Sequence, residues 1–341
     1  MSKLISGLEN LSLTQDIDYA GWPSPFDDTG VQYVWDSVSL GLLKECPRKY
    51  QLSMVLNWQP KQRSHHLDFG IYYHTAIEHW LKLKAEARLK NKNAGIAIQA
   101  SSDEIHEWAT REAIRKALTI SFGYETGMKK GVPDKAKTRE MLIRALVWYF
   151  ERYKDDNCVT HILENGKPAV ELSFRFEIGN EQMLAGHLDH IVHYGDGLYV
   201  QDHKTTGSTV TGASAKYFFS GFNPDNQMTL YSTAASIAFH TPVRGVMIDA
   251  AQLAVGFVEF ARDLTHRTEA HLVEFLEGVY GYRRMAEAFH KAGFWPMNEK
   301  SCGMYGGCAF REICARSPQV REKFLRTDFT QDKPWNPLEP R

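Results

Sequence analysis

The spacing of apolar residues changes along the chain, and the first half carries a helical pattern. Apolar residues recur there every three or four positions, which is the period of an amphipathic helix. The segment 127–135, which contains Gly, Pro and Lys, is predicted as a loop between two of these helices. The predicted helices are a short one that Ser37 or Ser39 could cap, and longer ones over residues 69–89, 102–122 and 138–154.

After Pro168 the pattern changes to short runs in which apolar and polar residues alternate, which is the period of a half-buried strand. Gly-Asn-Glu and Gly-Asp-Gly separate the first three runs, and such turns favour consecutive hairpins. Asn223 could cap a helix between the third and fourth strands. The predicted strands cover residues 169–178, 183–194, 197–205, 243–251 and 255–263, and the predicted helices cover residues 224–239 and 266–292.

The order of these elements predicts an α/β or α+β fold. Its core is a helix, three strands, a helix and a further strand (αβββαβ), and the sheet is mixed. We divide the chain into four segments: a loosely held arm over residues 1–36, a helical region carrying Cys46 and His74 over residues 37–165, the core over residues 166–292, and a Cys-rich tail over residues 293–341.

Charge and hydropathy narrow the class of protein. The chain has 341 residues and a formal net charge of −1, so the molecule as a whole carries no basic signal for nucleic acid. Residues 125–154 and 290–326 each hold a surplus of four basic residues that could contact phosphates, although such runs are usually solvated helix faces. No apolar run approaches the ~20 residues needed to cross a bilayer, and no signal peptide opens the chain. We therefore expect a soluble, cytoplasmic protein without a membrane partner.

Two acidic residues on neighbouring predicted strands are the first candidates for chemistry. Asp202 and Lys204 lie two apart on the third strand, so their side chains point to the same face. A salt bridge at a strand end would explain that pair by itself. Asp189 on the preceding strand adds a second carboxylate, however, and two carboxylates brought close repel each other unless a divalent cation lies between them. Hard oxygen ligands of this kind suit Mg²⁺ or Mn²⁺.

A histidine on the first long helix is a candidate third ligand. His74 and Glu78 are four residues apart and therefore lie on one helix face. His79 follows Glu78 directly, and the three residues superficially resemble a zinc-protease helix. The order H-x-x-x-E-H places the two histidines five apart, so they point in different directions, whereas H-E-x-x-H and H-x-x-E-H place them on one face. This spacing excludes the protease interpretation.

The candidate residues fall into four motifs along the chain, which are Gly70-x₃-His74-x₃-Glu78, Gly186-x₂-Asp189, Asp202-x-Lys204-Thr205 and Gln227-x₃-Tyr231. In this order, and on this alternation of helix and strand, the motifs resemble those of the PD-(D/E)xK nuclease superfamily. Within it they are similar to the RecB/AddB-type branch, which includes the CRISPR-adaptation nucleases and phage exonucleases. The resemblance covers about residues 37–316 and implies a restriction-endonuclease-like fold with residues 166–292 as the nuclease core.

The resemblance also implies a set of metal ligands and catalytic residues. The implied ligands of Mg²⁺ or Mn²⁺ are His74, Asp189, Asp202 and the backbone carbonyl of His203. Lys204 would orient or help to deprotonate the attacking water and would stabilise the charge that builds up on the phosphate. Gln227 and Tyr231 would lean from their helix toward this lysine and the DNA backbone.

The implied activity is that of a metal-dependent DNA exonuclease, a hydrolase of phosphodiester bonds in recombination, repair or phage replication. A structure-selective or restriction-type endonuclease on the same fold is one alternative. A non-catalytic DNA-binding subunit is another, although such members usually lose one of Asp189, Asp202 and Lys204. The sequence has no G-x-x-x-x-G-K-[ST] motif, so any ATP-driven unwinding would need a helicase partner. A single-strand-binding or annealing protein is a further candidate partner. Aromatic residues near the basic stretches could stack on bases of a single strand, and the candidates are Tyr217, Phe218, Phe219, Phe222 and Trp295.

Cysteine spacing predicts a second metal centre. The five cysteines are Cys46, Cys158, Cys302, Cys308 and Cys314, and an odd number in a cytoplasmic protein argues against disulfides. The last three lie within thirteen residues, which favours metal binding over unconnected thiols. Cys46 is similar to the early cysteine of nucleases in this branch that hold both chain ends with a [4Fe–4S] cluster. Their C-terminal trio is commonly C-x₂-C-x₅-C, whereas the first gap here is five residues, so zinc stays an alternative. Cys158, beside His161, is the spare or an alternative fourth ligand.

Overall fold

The computed structural model describes residues 12–14, 23–61, 64–93, 100–129, 132–331 and 334–339. The α-helices are α1 (Ser37–Glu45), α2 (Pro47–Tyr50), α3 (His65–Asn93), α4 (Ser102–Ile120), α5 (Arg139–Arg152), α6 (Ala215–Phe219), α7 (Asn226–Ala238), α8 (Glu269–Lys291), α9 (Arg311–Ala315) and α10 (Arg321–Asp328). A π-helical turn covers Gln51–Val55, and 3₁₀ turns cover Ser220–Phe222, Glu299–Gly306 and Pro318–Val320.

The strands are β1 (Ser12–Thr14), β2 (Val34–Trp35), β3 (Gln59–Pro60), β4 (Thr126–Lys129), β5 (Val132–Thr138), β6 (Val159–Thr160), β7 (Val170–Gly179), β8 (Gln182–Tyr194), β9 (Gly197–Thr206), β10 (Gly245–Ala254), β11 (Phe257–His266) and β12 (Phe329–Thr330). Five of the twelve strands in the described residues, β7 to β11, correspond to the alternating runs of the sequence. Strands β4 and β5 pair antiparallel where the segment 127–135 was predicted as a loop, and they extend beyond it to Thr126 and Thr138. Of the predicted N-terminal arm, residues 1–11 and 15–22 lie outside the described residues.

Helix starts in this chain are set by residues one or two positions away from the predicted caps. Asp36, and not Ser37 or Ser39, caps α1, because its carboxylate accepts from the backbone N–H of Ser39 while the Ser39 hydroxyl accepts from the backbone of Asp36. Asp225, and not Asn223, caps α7 by accepting from the N–H of Met228. In both cases the structure selects an acidic cap, whose charge also suits the positive end of the helix dipole.

The turn between β7 and β8 shows why the hairpin forms where the sequence predicted it. Asn180 and Glu181 connect the two strands, and both have left-handed backbone conformations, with φ of 52° and 58°. A two-residue turn with two positive φ values matches the twist of the paired strands. Asn tolerates this conformation well, since its short polar side chain bonds locally.

The chain divides into two compact units. Unit 1 comprises residues 1–63, 173–187 and 268–341, and unit 2 comprises residues 64–172 and 188–267. In unit 1, β1 pairs with β7, β2 with β8, and β12 with β3. Its C-terminal segment packs on the chain after α2, where Leu52 and Trp58 form a core with residues of α9, α10 and β12: Phe310, Ile313, Leu325 and Phe329.

Unit 2 contains a mixed sheet. Residues 190–194 of β8 pair antiparallel with β9, β9 pairs parallel with β10, and β10 pairs antiparallel with β11. The parallel step needs a crossover connection, which α7 supplies. The prediction of an α/β fold with a mixed sheet, of the restriction-endonuclease-like type, is thereby confirmed.

Three helices form the main core of unit 2 against this sheet. Ala109, Ala113 and Ala117 repeat every fourth residue along α4, and all three are fully buried. Their small side chains let α4 approach α3 closely. The other members of this core come from α3, α5 and β10: Phe69, Tyr73, Ala76, Ile77, Trp80, Leu142, Ala145, Leu146, Tyr149, Phe150, Ala251 and Leu253. No helix in the described part of the chain combines the length and apolar character needed to span a bilayer.

Candidate active site

The two candidate carboxylates lie side by side on adjacent antiparallel strands of unit 2. His190 on β8 pairs with Gln201 on β9, and continuing this register by one residue sets Asp189 opposite Asp202. Both side chains are buried, with 8% of Asp189 and 1% of Asp202 exposed. Side chains opposite each other on one face are close neighbours. The structure therefore brings two acidic groups together in a buried place.

His74 on α3 reaches the first of these carboxylates. Its Nδ1 lies 3.4 Å from Oδ2 of Asp189. The same carboxylate oxygen accepts a hydrogen bond of 3.1 Å from the backbone N–H of His203. Helix α3 thus contributes an imidazole, and strand β9 a backbone contact, to the position of Asp189. Glu78, one turn further along α3, forms an ion pair with Lys82.

Lys204 occupies the same face of β9 as Asp202 and connects it to α7. Its Nζ lies 2.7 Å from Oδ2 and 3.0 Å from Oδ1 of Asp202. The same ammonium donates to Oε1 of Gln227 at 2.9 Å, and Nε2 of Gln227 donates to the hydroxyl of Tyr231 at 3.2 Å. The four residues form a continuous polar chain from the sheet onto the helix.

The pKa values of the two carboxylates differ in direction: the ionised form of Asp189 is strongly stabilised, whereas that of Asp202 is not. Burial alone would raise the pKa of Asp189, but the hydrogen bond and charge of His74 hold it well below the ordinary value. Burial raises the pKa of Asp202, and the charge of Asp189 raises it further, although Lys204 opposes both. Burial alone would lower the pKa of Lys204, but Asp202 and Asp189 raise it, so the amine is held protonated.

A second buried network lies behind the site, on the opposite face of the sheet, and the sequence analysis missed it. Asp249 on β10 accepts from Tyr149 at 2.7 Å and from Gln201 at 2.6 Å, and it forms an ion pair of 2.9 Å with Arg262. The ring nitrogen Nδ1 of His203 lies 3.5 Å from the same carboxylate. A lone acidic residue in the otherwise apolar run of β10 was the available signal, because a buried charge needs partners.

The sequence as a whole carries the signature of one nuclease superfamily. The sequence model of the PD-(D/E)XK nuclease superfamily matches residues 38–315. The chain belongs to the PD-(D/E)XK nuclease superfamily. Comparison with curated proteins gave no match. Nucleases of this superfamily are hydrolases that use divalent metals, so the chain is assigned to the metal-dependent nucleases.

Membership of the PD-(D/E)XK superfamily gives the buried carboxylates a chemical context. Two carboxylates and an imidazole are a donor set that suits a divalent cation, with oxygen atoms dominating as Mg²⁺ and Mn²⁺ require. Burial is the largest cause of the raised pKa of Asp202, and the nearby Asp189 adds to it. A cation between the two carboxylates would favour their ionised forms, so the residues present fit a metal.

The cysteine residues of unit 1 lie around one small region. The backbone N–H of Asn298 donates to Sγ of Cys46 at 3.4 Å, and the N–H of Cys308 donates to the carbonyl of Cys302 at 3.0 Å. Burial raises the pKa of Cys308, and the nearby Cys302 and Cys46 raise it further. Burial likewise raises the pKa of Cys314, with contributions from Cys308 and Cys46. Each of these thiols therefore lies within electrostatic reach of others in the set.

Cys158 has a different environment, in unit 2. Its thiol contacts Sδ of Met247 at 3.7 Å and accepts from Nη1 of Arg262 at 3.4 Å. His161, the neighbour suggested by the sequence, instead places Nδ1 within 2.9 Å of Nε2 of His193. Burial is the main cause that raises the pKa of Cys158 to about 12.

We predict that Cys158 resists alkylation in the native protein. With a pKa of about 12, only about 10⁻⁴ of the thiol is the reactive thiolate at pH 8. Timed treatment with iodoacetamide at pH 8, followed by peptide mass spectrometry, should show Cys158 modified at least about a hundredfold more slowly than in denaturant. Equal rates in the two states would contradict the buried environment of this thiol.

Proposed function

We propose that this chain is a Mg²⁺- or Mn²⁺-dependent deoxyribonuclease, and that its reaction takes place at the face of β8 and β9 that carries Asp189 and Asp202. One observation carries the proposal: two buried carboxylates from adjacent strands, an imidazole from a helix and a protonated amine converge. A structural salt bridge would need Asp202 and Lys204 alone. The additional buried carboxylate and His74 are not needed for such a bridge, and together with Asp202 they form a donor set that suits a divalent cation.

The proposed metal ligands are Asp189, Asp202, His74 and the backbone carbonyl of His203. When bound, a divalent ion polarises a phosphoryl oxygen and lowers the pKa of a coordinated water. The contact of His74 and of the His203 N–H with Asp189 holds that carboxylate ionised and oriented. No serine, cysteine or tyrosine nucleophile is required.

The proposed role of Lys204 follows from its proton. Because its pKa is raised, Nζ donates hydrogen bonds and carries a positive charge at neutral pH. We therefore favour a role in orienting water and offsetting charge on the phosphate over a role as a base. Gln227 fixes the direction of Nζ from the α7 side, and Tyr231 orients the Gln227 amide.

Variants of α7 test this positioning role. Gln227→Ala removes the acceptor of Lys204 and is expected to lower kcat by roughly tenfold to a hundredfold, in line with the loss of one orienting group. Tyr231→Phe leaves the Gln227–Lys204 hydrogen bond in place, so its effect should be smaller. Steady-state kinetics on a defined oligonucleotide measure both. A Tyr231→Phe loss larger than that of Gln227→Ala would contradict the order of the chain.

We propose further that the enzyme is an exonuclease acting on DNA ends or single strands in recombination, repair or phage replication, in the cytoplasm. The RecB/AddB-type motifs of the sequence support this. Tyr217 on α6 is three-quarters exposed beside the connection from β9 to α7, which suits stacking on an unpaired base. A helicase, single-strand-binding or annealing protein would supply or receive the single strand.

One digestion experiment tests activity and mode together. End-labelled single- and double-stranded DNA, in linear and circular form, is incubated with Mg²⁺, Mn²⁺ or EDTA. The proposal predicts metal-dependent release of short products from linear DNA and intact circles. Cleavage of circles would favour the endonuclease alternative, and binding without cleavage in either metal would favour the non-catalytic subunit.

We propose that Cys46, Cys302, Cys308 and Cys314 bind a [4Fe–4S] cluster in unit 1. The thiols lie on segments that hydrogen bonds already join, since Asn298 donates to Cys46 Sγ and to the carbonyl of Glu45. Sγ of Cys302 donates to the carbonyl of the same Asn298 at 3.9 Å, so Cys46 and the first cysteine of the C-terminal trio contact one residue. Four thiolates are the ligand set of such a cluster, and a zinc ion with four thiolates is the alternative.

Metal analysis distinguishes an iron–sulfur cluster from a zinc ion at these cysteines. Protein purified without oxygen should be brown, contain iron and sulfide, and lose both in Cys308→Ser. The Cys158→Ser variant is the matched control and should keep its iron. A colourless protein whose Cys308→Ser variant loses one equivalent of zinc would reject the cluster while leaving the nuclease proposal untouched.

A further inference from the structure

A separate group of potential metal ligands lies in unit 2 at the start of α3. His65 and His66 are the first two residues of that helix, and Asp134 lies on β5. One ligand atom from each of the three residues lies within 4.8 Å of the other two. The proposed catalytic ligand His74 is nine residues further along the same helix, which is roughly 13 Å at 1.5 Å per residue. The group is therefore distinct from the catalytic face.

The distances between these side chains suit a single ion. Nε2 of His65 lies 3.1 Å from Oδ2 of Asp134. Ligand atoms around a tetrahedral zinc ion, each about 2.0–2.1 Å from the metal, are roughly 3.3 Å from each other. The rings of His65 and His66 have centroids 3.9 Å apart and are tilted by 38°. A His65–Asp134 ion pair explains the first distance but gives no reason for a second imidazole at the same place.

The surroundings hold two of the three ligands in position. Oδ1 of Asp134 accepts from the backbone N–H of Ala136 at 3.1 Å, which turns Oδ2 toward His65. A Cβ atom at Gly127 on β4 would collide with the imidazole of His65, so this glycine provides the space that the ring fills. The side chains of His65 and Asp134 are 15% and 14% exposed, whereas His66 is exposed. Two ligands are thus fixed by the fold, and the third faces solvent.

We propose that His65, His66 and Asp134 bind a Zn²⁺ ion that fastens the β4–β5 hairpin to the first turn of α3. Two imidazoles and one carboxylate are a donor set that zinc prefers, whereas Mg²⁺ prefers oxygen ligands and water. Solvent completes the coordination on the side of His66. The hairpin packs against α3, so an ion at this point would join the two elements. The site is structural and does not depend on the proposed nuclease activity.

Zinc stoichiometry of matched variants tests the site. Full-length protein is incubated with excess Zn²⁺, passed through a desalting column and analysed for metal by mass spectrometry. His65→Ala and Asp134→Ala should each bind one equivalent fewer than the parent. His79→Ala is the control on the same helix, and it should bind as many equivalents as the parent. Equal zinc in all four proteins would overturn the proposal and leave a His–Asp ion pair only.

Two further measurements distinguish zinc at this site from metal at the cysteines or at the proposed active site. With Co²⁺, the difference between parent and Asp134→Ala should show visible d–d absorption without a sulfur-to-metal charge-transfer band, which a cysteine site would give. Added Zn²⁺ should raise the Tm of the parent and of His79→Ala by more than that of the two site variants, because an ion that binds only the native state stabilises it. A sulfur charge-transfer band in the difference, or equal Tm shifts in all four proteins, would overturn the proposal. DNA cleavage is not needed for any of these measurements.

Discussion

Replacing Asp202 with asparagine is expected to lower the rate of DNA cleavage by at least about a thousandfold. The variant keeps the size of the side chain but removes one of two buried carboxylates and the ion pair with Lys204. Loss of a single preorganised charged or donor group in an active site typically costs about 10²–10³ in kcat, and here a proposed metal ligand is lost as well. Lys204→Met, which keeps the aliphatic stem, should have an effect of similar size.

The control lies on the same hairpin. Asp196, in the turn between β8 and β9, has a side chain that is 83% exposed and forms a surface pair with Arg244. Asp196→Asn makes the same chemical change away from the site and should cleave at the parental rate. Single-turnover cleavage with Mg²⁺ and Mn²⁺, together with DNA-binding titrations, separates loss of chemistry from loss of binding.

The expected pattern is loss of cleavage with DNA binding and Tm preserved in both site variants. If Asp202→Asn or Lys204→Met cleaves as fast as Asp196→Asn, the reaction does not take place at this face of the sheet. If a site variant loses both cleavage and the folded state, the milder Gln227→Ala variant replaces it as the test. This variant removes a hydrogen bond to Lys204 but leaves the buried Asp202–Lys204 pair intact.

Replacing Asp249 with alanine is expected to lower the free energy of unfolding by about 3–5 kcal/mol, the usual cost of removing one partner from a buried ion pair. The side chain of Asp249 is fully buried, and it accepts hydrogen bonds from Tyr149 and Gln201 in addition to the ion pair with Arg262. Arg262 retains a second partner, Asp156, at 2.8 Å. Removing Asp249 therefore leaves the two buried donors without their acceptor.

The stability difference should depend on pH in a defined direction. Burial alone would raise the pKa of Asp249, but Arg262 and the hydrogen bonds hold it well below the ordinary value. A carboxyl group with a depressed pKa in the native state stabilises that state above the pKa of the unfolded chain, about 3.9. The contribution is lost as the pH falls. The difference between parent and Asp249→Ala should thus be full near pH 7 and shrink below about pH 4.

Urea denaturation of both proteins at pH 7 and in steps toward pH 3 measures this. Asp263→Ala is the control, because Asp263 is an exposed acidic residue on the same strand as Arg262 and should change stability by less than about 0.5 kcal/mol. An Asp249→Ala variant no less stable than Asp263→Ala would show that the network is not needed for stability.

The local pattern of apolar and polar residues predicted the long helices and the long strands of the fold. Strands β7, β8 and β9 begin and end within one residue of their predicted bounds, because alternation of apolar side chains and Gly- or Asn-containing turns are local signals. The β4–β5 hairpin was missed. Its residues are largely polar or glycine, and its pairing was invisible to hydrophobic periodicity. The caps at Asp36 and Asp225 were missed because several residues in each stretch could serve equally well.

The candidate site was likewise predictable only where local sequence pattern determines the geometry. The sequence by itself determined that Asp202 and Lys204 share one face of a strand, since alternate side chains point the same way, and that Asp189 lies on the strand before them. Only the tertiary structure decided that His74 reaches Asp189, that Gln227 meets Lys204, and that Asp249 lies behind His203. These contacts join residues far apart in the chain. They depend on how helices pack on the sheet, which side-chain periodicity within one element does not encode.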